Sequence, residues 1–310
     1  MHYSRWIGNQ TVDFLTRSRQ RDKPFLFIAN FFDPHHGFGA PDEYVKRYRE
    51  KALSRPLTVP DELSGKPPIQ TEASHESYAG HARGYTTYSD EELQEVKAAY
   101  YAMVTLVDDE VGRILNALER EGLADNTLVV FTSDHGEMLG DHQLMLKGPM
   151  MYEQAVRVPL LMRWPGVIPA GTRCPELVQW IDLSATLLAA AGVPSPARAQ
   201  GQDLLPLATG RASGRGWALS EYRNSGHPYD APVHLTMLRR DRWKLVVQHG
   251  APASSRERTG ELYDLEADVD ELHNLWDDPL HLSIRTGLQE FLLDVLVATE
   301  DRSQVREAYW

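Results

Sequence analysis

Two clusters of ionisable residues each follow an apolar run of strand length in this sequence of 310 residues. Asp33-Pro34-His35-His36 follows the run 25–32, and Ser133-Asp134-His135-Gly136 follows the run 128–131. Ligands of open α/β sheets gather at the carboxyl ends of strands, so both clusters are candidate site residues. A neighbouring carboxylate and imidazole can ligate one divalent ion, and this donor pair suits Mn²⁺ or Zn²⁺ better than Ca²⁺.

Each cluster also has an ordinary structural interpretation. Asp134 could cap the turn that follows it while His135 makes a simple hydrogen bond, and the spacing alone favours neither interpretation. His35 and His36, taken alone, are more typical of surface histidines in a turn. Residues Glu137, Asp141, His142 and Lys147 extend the second cluster into a glycine-containing loop.

The elements that must position these clusters can be predicted from hydrophobic periodicity. The pattern predicts a helix over 5–18, a buried strand over 25–32, and a long irregular excursion over 37–89. A second helix begins at Asp90 and ends near Gly122. Its apolar stripe consists of Met103, Val107, Val111, Ile114 and Leu118.

The remaining elements suggest two regions. We expect strands over 128–131 and 158–162, then a helix over 182–192. Alternating strands and helices favour a largely parallel sheet covered on both faces. Beyond residue 210 the pattern predicts a hairpin, a further strand and a closing helix, over 235–248, 261–265 and 282–297. The sequence therefore predicts an α/β domain over 1–210, a mostly parallel sheet flanked by helices, and a smaller antiparallel α+β subdomain over 211–310.

Composition excludes several classes of protein. The chain has 32 basic and 44 acidic residues and a formal net charge of −12, which disfavours nucleic acid as a partner. No apolar run approaches the roughly 20 residues that span a bilayer, so no membrane association is expected. The single cysteine, Cys174, excludes a disulfide scaffold. Taken as complete, the chain would be cytoplasmic, and it could form a homo-oligomer.

The segment from Thr132 to His142, with Lys147-Gly148 downstream, resembles the metal-site segment of sulfatases in the alkaline-phosphatase superfamily. Further segments match this family in the same order. They are Lys23-Pro24-Phe25 with Asp33-Pro34-His35, Arg157-Val158-Pro159 with Trp164-Pro165-Gly166, Trp243-Lys244-Leu245, Glu261-Leu262-Tyr263-Asp264-Leu265, and Glu271 with Asn274-Leu275. Matches in one order across nearly the whole chain are more specific than any one of them. The resemblance is to the arylsulfatase and phosphonate monoester hydrolase branch and implies an alkaline-phosphatase-like fold.

The resemblance also implies roles for individual residues. Asp134 and His135 would be metal ligands, Lys147 would bind a sulfate oxygen and the bridging ester oxygen, and His35 would contact the leaving-group side. A metal and fixed cations stabilise the negative charge that builds up on the ester oxygens. The implied cofactor is a divalent metal, Ca²⁺ or Mn²⁺, and the nitrogen of His135 moves the expectation toward Mn²⁺. His36 and His142 are expected to be neighbours of the site.

One family feature has no counterpart in the sequence. Sulfatases use formylglycine, made from a cysteine or serine in a Cys/Ser-x-Pro-x-Arg motif, and no such motif occurs here. Cys174 has the wrong surroundings and is interpreted as structural. Asp108-Asp109 falls within the helical stripe and is interpreted as solvated or capping. We therefore expect these residues to be the C-terminal part of a sulfatase-type protein.

Three functional hypotheses follow. The first is hydrolysis of a small-molecule sulfate ester, with this chain inactive by itself. The second is hydrolysis of a phosphate or phosphonate ester, because the same metal, lysine and histidine serve either tetrahedral anion. The third is a non-catalytic, truncated homologue that binds an anion or a partner.

Overall fold

The computed structural model describes residues 2–249 and 259–300. The α-helices are α1 (Tyr3–Asp13), α2 (Asp42–Arg49), α3 (Pro68–His75), α4 (Asp90–Arg120), α5 (Glu153–Val156), α6 (Asp182–Ala190), α7 (Leu205–Ala208) and α8 (Leu282–Ala298). A π-helical turn, Phe14–Ser18, continues α1. None of the helices in the described ranges combines the length and apolar character needed to cross a membrane.

The strands form three antiparallel sheets. They are β1 (Glu76–Ser77), β2 (Ala82–Arg83), β3 (Val129–Thr132), β4 (Leu160–Arg163), β5 (Trp217–Arg223), β6 (His234–Arg240), β7 (Trp243–His249) and β8 (Gly260–Asp264). β1 pairs with β2, β3 pairs with β4, and the order of the largest sheet is β5-β6-β7-β8. The chain thus combines helices with antiparallel sheets.

Helix α4 forms where the sequence predicts it. Ser89 accepts a hydrogen bond from the backbone of Glu92, whose side chain accepts one from the Ser89 backbone, which completes a capping box. Met103, Val107 and Leu118 of the predicted stripe are buried. Gly122, with φ of 66°, follows the end of the helix and takes the left-handed conformation that favours glycine.

The prediction of a largely parallel sheet is wrong for the ladders that the described residues form. β3 and β4 pair antiparallel, with Phe131 opposite Leu161. The segment 25–32 is extended, but it is not a strand, because no described segment forms a ladder with it. Leu26 and Ile28 in that segment are 71% and 69% exposed. Apolar composition marked the segment as suitable for a strand, but pairing requires a partner that composition does not reveal.

The excursion over 37–89 is more regular than the sequence predicts. It contains α2, α3 and the short β1–β2 hairpin. Tyr44 and Val45 of α2 pack with Ala102 and Leu106 of α4 in one apolar cluster. Burial against α4, rather than strong local periodicity, therefore accounts for α2.

The C-terminal elements are confirmed. The hairpin turn lies at Asp241 and Arg242, and Leu238 of β6 faces Leu245 of β7, which faces Leu262 of β8. These three leucines are fully buried and pack with Leu288 and Leu292 of α8. An antiparallel sheet covered by an amphipathic helix is the expected result of such alternating patterns.

Buried contacts join this C-terminal sheet to the rest of the chain. One apolar cluster includes Met138 and Tyr152 as well as Met237 and Tyr263. Beside it, the Lys244 ammonium lies 2.8 Å from Glu153 Oε1 and 2.7 Å from Glu271 Oε1. A buried ammonium has to be paired with carboxylates. The pairing of Lys244 with Glu153 therefore links β7 to the start of α5, and so holds the end of the loop that precedes Glu153.

Candidate active site

The turn that carries His35 is held against the first helix by a buried carboxylate. Asp33 Oδ1 accepts a hydrogen bond from Tyr3 Oη at 2.5 Å, and Asp33 Oδ2 accepts one from Ser4 Oγ. Burial and the neighbouring carboxylate raise the pKa of Tyr3, which therefore remains a hydrogen-bond donor. The first turn of α1 consequently fixes the start of the His35 turn.

The loop that follows β3 depends on a close backbone approach at Gly136. The Gly136 N–H donates to Ala155 O at 2.8 Å, and the Glu137 N–H donates to Gln154 O at 3.0 Å. A Cβ atom added at Gly136 would lie 1.9 Å from Gln154 O, so only glycine fits. The loop directly after His135 is therefore fixed in place by α5.

Lys147 lies at the far end of the same loop. The Met138 N–H donates to Leu146 O at 3.0 Å and so closes the loop. Met138, Leu144, Met145 and Leu146 are buried. These apolar side chains fix the backbone beside Lys147, whose own side chain is half-buried.

His35 and Lys147 meet although they are distant in sequence. Lys147 Nζ lies 2.8 Å from His35 Nε2, and His35 Nδ1 lies 2.6 Å from His36 O. A carbonyl oxygen can only accept, so His35 carries its proton on Nδ1 and its Nε2 accepts from the Lys147 ammonium. The pair is thus a cation joined to a neutral imidazole.

Asp134 and His135 present two potential ligand atoms beside this pair. Asp134 is exposed, and its Oδ2 lies 3.6 Å from His135 Nε2. His135 Nδ1 lies 2.8 Å from Gly136 O, which places the proton on Nδ1 and leaves the Nε2 lone pair free to ligate. The ring centroids of His35 and His135 are 6.2 Å apart.

Burial shifts three pKa values around the site. It lowers the pKa of Lys147, although the charges of Glu137 and Asp134 oppose that change. It raises the pKa of Glu137 to about 7, against backbone hydrogen bonds from the loop. Burial, together with the charge of Lys147, lowers the pKa of His36 to about 4. The surroundings of His36 therefore favour its neutral form.

Comparison with known families identifies the chain. Residues 2–193 match the Sulfatase family, and residues 140–298 match the family described as N-sulphoglucosamine sulphohydrolase, C-terminal. The chain belongs to the sulfatase family. Its fold is accordingly that of the alkaline-phosphatase superfamily, as the sequence resemblance implies.

Individual relatives agree with this assignment. The chain is 32% identical over 295 residues to the uncharacterized sulfatase YidJ of Escherichia coli, covering 95% of this chain and 55% of the relative. It is 29% identical over 305 residues to an arylsulfatase of Clostridium perfringens, covering 97% and 59%. The structure of a phosphonate monoester hydrolase from Silicibacter pomeroyi superimposes with a TM-score of 0.82 and 28% identity, covering 96% and 60%. The chain thus spans between 55% and 60% of the length of these relatives.

The sulfatase assignment implies a metal ion, and the residues present fit two positions of its coordination sphere. Asp134 supplies an oxygen and His135 a nitrogen with a free lone pair. Two ligands do not complete a metal site. Zinc sites have three or four protein ligands, and Ca²⁺ sites have six to eight oxygen ligands, some of them waters. Within residues 2–249 and 259–300, no group of three or more acidic, histidine or cysteine side chains converges. The described pair is therefore a partial donor set.

The structure brings some sequence candidates together and separates others. His36 stacks on His35 with ring centroids 3.9 Å apart. His142 is fully buried, with Nδ1 2.5 Å from Glu62 Oε1 and its ring stacked on Tyr152. His142 therefore belongs to the core beneath the loop.

Two sequence features were not assigned to the site, the Asp108-Asp109 pair and Cys174. Neither contacts His35, Lys147, Asp134 or His135 among the described contacts. Asp108 and Asp109 are exposed on α4, and Asp109 Oδ2 accepts a hydrogen bond from Tyr44 Oη at 2.6 Å. Cys174, which we interpreted as structural, is exposed. An exposed thiol contributes no core packing, so that interpretation has no support in the structure.

Sequence reasoning missed Tyr78. The ring of Tyr78 lies 5.8 Å from Lys147 Nζ and 5.6 Å from the His36 ring. Tyr78-Ala79-Gly80 has the composition of a tight turn, and all three residues have positive φ. That turn composition was the available signal, but the contact with Lys147 depends on tertiary packing.

Proposed function

We propose that this chain supplies one side of a sulfatase active site, in which a sulfate ester is bound and charge-stabilised. Lys147 and His35 bind the ester, and Asp134 and His135 provide two metal ligands. The observation that carries the proposal is the 2.8 Å contact of Lys147 Nζ with His35 Nε2, next to the donor pair that follows β3.

The chemistry of a sulfate ester suits this arrangement. Negative charge increases on the peripheral and leaving-group oxygens as the ester bond breaks, and a fixed ammonium stabilises it. His35 Nε2 accepts from one N–H of the Lys147 ammonium and so orients it, which leaves another N–H of Lys147 to donate to the leaving-group oxygen. The His36 carbonyl fixes the ring orientation that this role needs.

A divalent ion, Ca²⁺ or Mn²⁺, would supply further charge stabilisation when bound by Asp134 and His135. Since the formylglycine motif does not occur in the 310 residues, we assign substrate binding and charge stabilisation, but not nucleophilic attack, to this chain. The substrate class is a small-molecule sulfate ester, as in the arylsulfatase relative.

Calorimetric titration of the 310-residue chain with inorganic sulfate, with Mn²⁺ or Ca²⁺ present, tests the proposal. Lys147→Ala should weaken sulfate binding roughly 10-fold to 100-fold, the value of one charge-assisted hydrogen bond. Lys46→Ala is the matched control, because Lys46 is exposed on α2. Equal sulfate affinity in the Lys147→Ala variant and the wild type would exclude the proposed role.

Phosphonate or phosphate monoester hydrolysis is the second candidate. The superposition with the phosphonate monoester hydrolase, at a TM-score of 0.82, favours it. The longest natural protein that contains this chain should be assayed with an aryl sulfate and a phenyl phosphonate ester. The ratio of the two kcat/KM values decides between the candidates. No turnover of either ester would favour the third hypothesis, a non-catalytic homologue.

A further inference from the structure

The loop that leads from Glu137 to Lys147 is held in a backbone conformation that most side chains avoid. Four of its non-glycine residues have positive φ, with values of 48°, 55°, 59° and 64°. They are, in that order, Leu139, His142, Gln143 and Leu146. Residues other than glycine adopt this left-handed region at a cost, and it persists only where surrounding contacts impose it. The conformation of the backbone before Lys147 therefore depends on contacts with other parts of the chain.

The centre of the loop is joined to a distant carboxylate in the protein interior. His142 Nδ1 lies 2.5 Å from Glu62 Oε1, and both side chains are fully buried. Glu62 begins a short 3₁₀ turn, Glu62–Gly65, and lies 80 residues before His142. The His142 ring also stacks on Tyr152, with centroids 3.9 Å apart and an interplanar angle of 8°. A buried carboxylate requires a hydrogen-bond donor, and His142 provides it.

Contacts on the other side of the ring fix its tautomer. Gln154 Nε2 lies 3.3 Å from Asp141 Oδ2 and 3.4 Å from His142 Nε2. A carboxylate only accepts, so the amide nitrogen of Gln154 is the donor, and His142 Nε2 accepts. The proton of the ring is therefore on Nδ1 and is donated to Glu62. Since both nitrogens of His142 have partners inside the protein, the ring has no direct part in binding an ester.

Two further hydrogen bonds join the same segments through Leu57. The His142 N–H donates to Leu57 O at 2.8 Å, and the Leu57 N–H donates to Asp141 Oδ1 at 2.9 Å. Leu146, whose carbonyl oxygen closes the loop, directly precedes Lys147. A displacement of His142 would therefore be transmitted through the closed loop to Lys147.

We propose that Glu62 and His142 are positioning residues, which hold the loop in the conformation that presents the Lys147 ammonium to the ester site. The contact of Lys147 with His35 Nε2 depends on that conformation. As far as ester binding is concerned, the inference rests on the proposed function. Glu62 acts through His142 and does not touch the ester, so the pair sets the affinity for a sulfate group without being part of the binding surface.

Two substitutions of Glu62 separate the length of its side chain from its charge. Glu62→Asp keeps the charge but withdraws the carboxylate by one methylene group, so sulfate affinity measured by calorimetry should fall about threefold to tenfold. Glu62→Gln keeps the length and an acceptor oxygen for His142, so its sulfate affinity should stay within about twofold of the wild-type value. Leu262→Ala is the control, because it removes a fully buried leucine from β8 and lowers stability outside the loop. Each variant is measured at a temperature at which it is folded.

A second measurement needs no ligand. The ¹⁵N chemical shift of His35 Nε2, assigned by its absence in His35→Gln, reports whether this nitrogen accepts a hydrogen bond. In Glu62→Asp the shift should move towards its value in Lys147→Ala, whereas Glu62→Gln and Leu262→Ala should keep the wild-type shift.

His142→Gln tests the same hydrogen bond from the loop side and replaces Glu62→Asp if that variant does not fold. The amide group of glutamine lies one bond further from the backbone than Nδ1 of the ring, so the bond to Glu62 is lost. His142→Gln should therefore show the same fall in sulfate affinity and the same change in the His35 shift.

The outcomes separate the two proposals. If the wild type binds sulfate and Glu62→Asp matches it in affinity and in the His35 shift, the positioning proposal is wrong and the ester site stands. If Leu262→Ala loses as much affinity as Glu62→Asp, general destabilisation accounts for the loss, and the positioning proposal is again wrong. If the wild type binds no sulfate but Glu62→Asp still changes the His35 shift, the proposed function fails while the positioning of Lys147 by the pair stands.

Discussion

The C-terminal sheet and the β3–β4 region differ in how completely their apolar surfaces are covered. In β6, β7 and β8, Leu238, Leu245 and Leu262 form a cross-strand row that is fully buried beneath α8. In the two-stranded sheet, the cross-strand partner of Phe131 is Leu161, which is 59% exposed. The nearby extended segment 25–32 also exposes large apolar side chains.

The region that provides most of the buried packing is therefore not the region that provides most of the candidate site residues. The covered C-terminal sheet forms the larger core and contacts the loop that holds Lys147. The less covered region supplies His35, Asp134 and His135 at the ends of its extended segments. Side chains that bind an ester must be accessible, so they lie where burial is incomplete. The better packed sheet therefore supports a site whose reactive groups are mostly supplied by the other region.

The largest effect is expected at Lys244, the buried ammonium of the C-terminal sheet that pairs with Glu271 and with Glu153 at the start of α5. In Lys244→Met, the buried Glu271 carboxylate loses its ammonium partner while the volume of the side chain is kept. We expect the free energy of unfolding to fall by about 3 to 5 kcal/mol. Urea denaturation measures it, and Lys46→Met on exposed α2 should change stability by less than about 0.5 kcal/mol.

The loss of stability in Lys244→Met should depend on pH. Burial raises the pKa of Glu271, so protonation of this group favours the folded state and that contribution is lost as pH rises. Without Lys244 the pKa should rise further. The difference between Lys244→Met and the wild type should therefore be larger at pH 8 than at pH 5. An equal difference at both pH values would show that Glu271 does not carry the effect.

The same contrast explains what the sequence could predict about the fold. The hairpin at Asp241, strand β8 and helix α8 were predicted because their pairing is local and their patterns alternate clearly. The segment 25–32 was predicted as a strand from composition, but strand formation depends on a distant partner. The proposed division of the chain near residue 210 stays a prediction, since one core includes Met138 and Met237 from either side.

For the candidate site, the sequence could name residues but could not establish their contacts. The motifs picked out His35, Asp134, His135 and Lys147, and the structure places them as neighbours. Their proposed roles remain to be tested. Tyr78 could not be found from sequence, because its contact with Lys147 requires the hairpin and the loop to pack together.

Two leucine truncations, one in the covered sheet and one in the exposed segment, should differ in their effect on stability. Leu262→Ala removes a fully buried side chain from β8 and should lower the free energy of unfolding by about 2 to 5 kcal/mol. Leu26→Ala removes a side chain that is 71% exposed and should change it by less than about 0.5 kcal/mol. Both are measured by urea denaturation. Comparable losses would mean that Leu26 is covered in solution.

The exposed apolar side chains of segment 25–32 are expected to promote association between chains, which a charge substitution can test. Ile28→Lys places a charge in an extended apolar stretch, and charges on such segments oppose association between chains. We expect a lower average mass in sedimentation at high protein concentration, with unchanged unfolding. Leu280→Lys is the control, because Leu280 is 86% exposed and lies in the C-terminal region. An equal reduction in both variants would assign the effect to net charge.

The smallest effect concerns an ion pair at the edge of the covered sheet. Arg242 Nε donates to Asp264 Oδ1 at 2.6 Å, and this bond lowers the pKa of Asp264 below its ordinary value of 3.8. A lowered pKa contributes stability that is present above the ordinary value and lost as pH falls below it. Asp264→Asn should therefore reduce the fall in Tm between pH 6 and pH 3. Arg242 is partly exposed, so added salt should reduce the difference in Tm between Asp264→Asn and the wild type. A difference that is independent of salt would instead indicate a structural role of the Asp264 side chain.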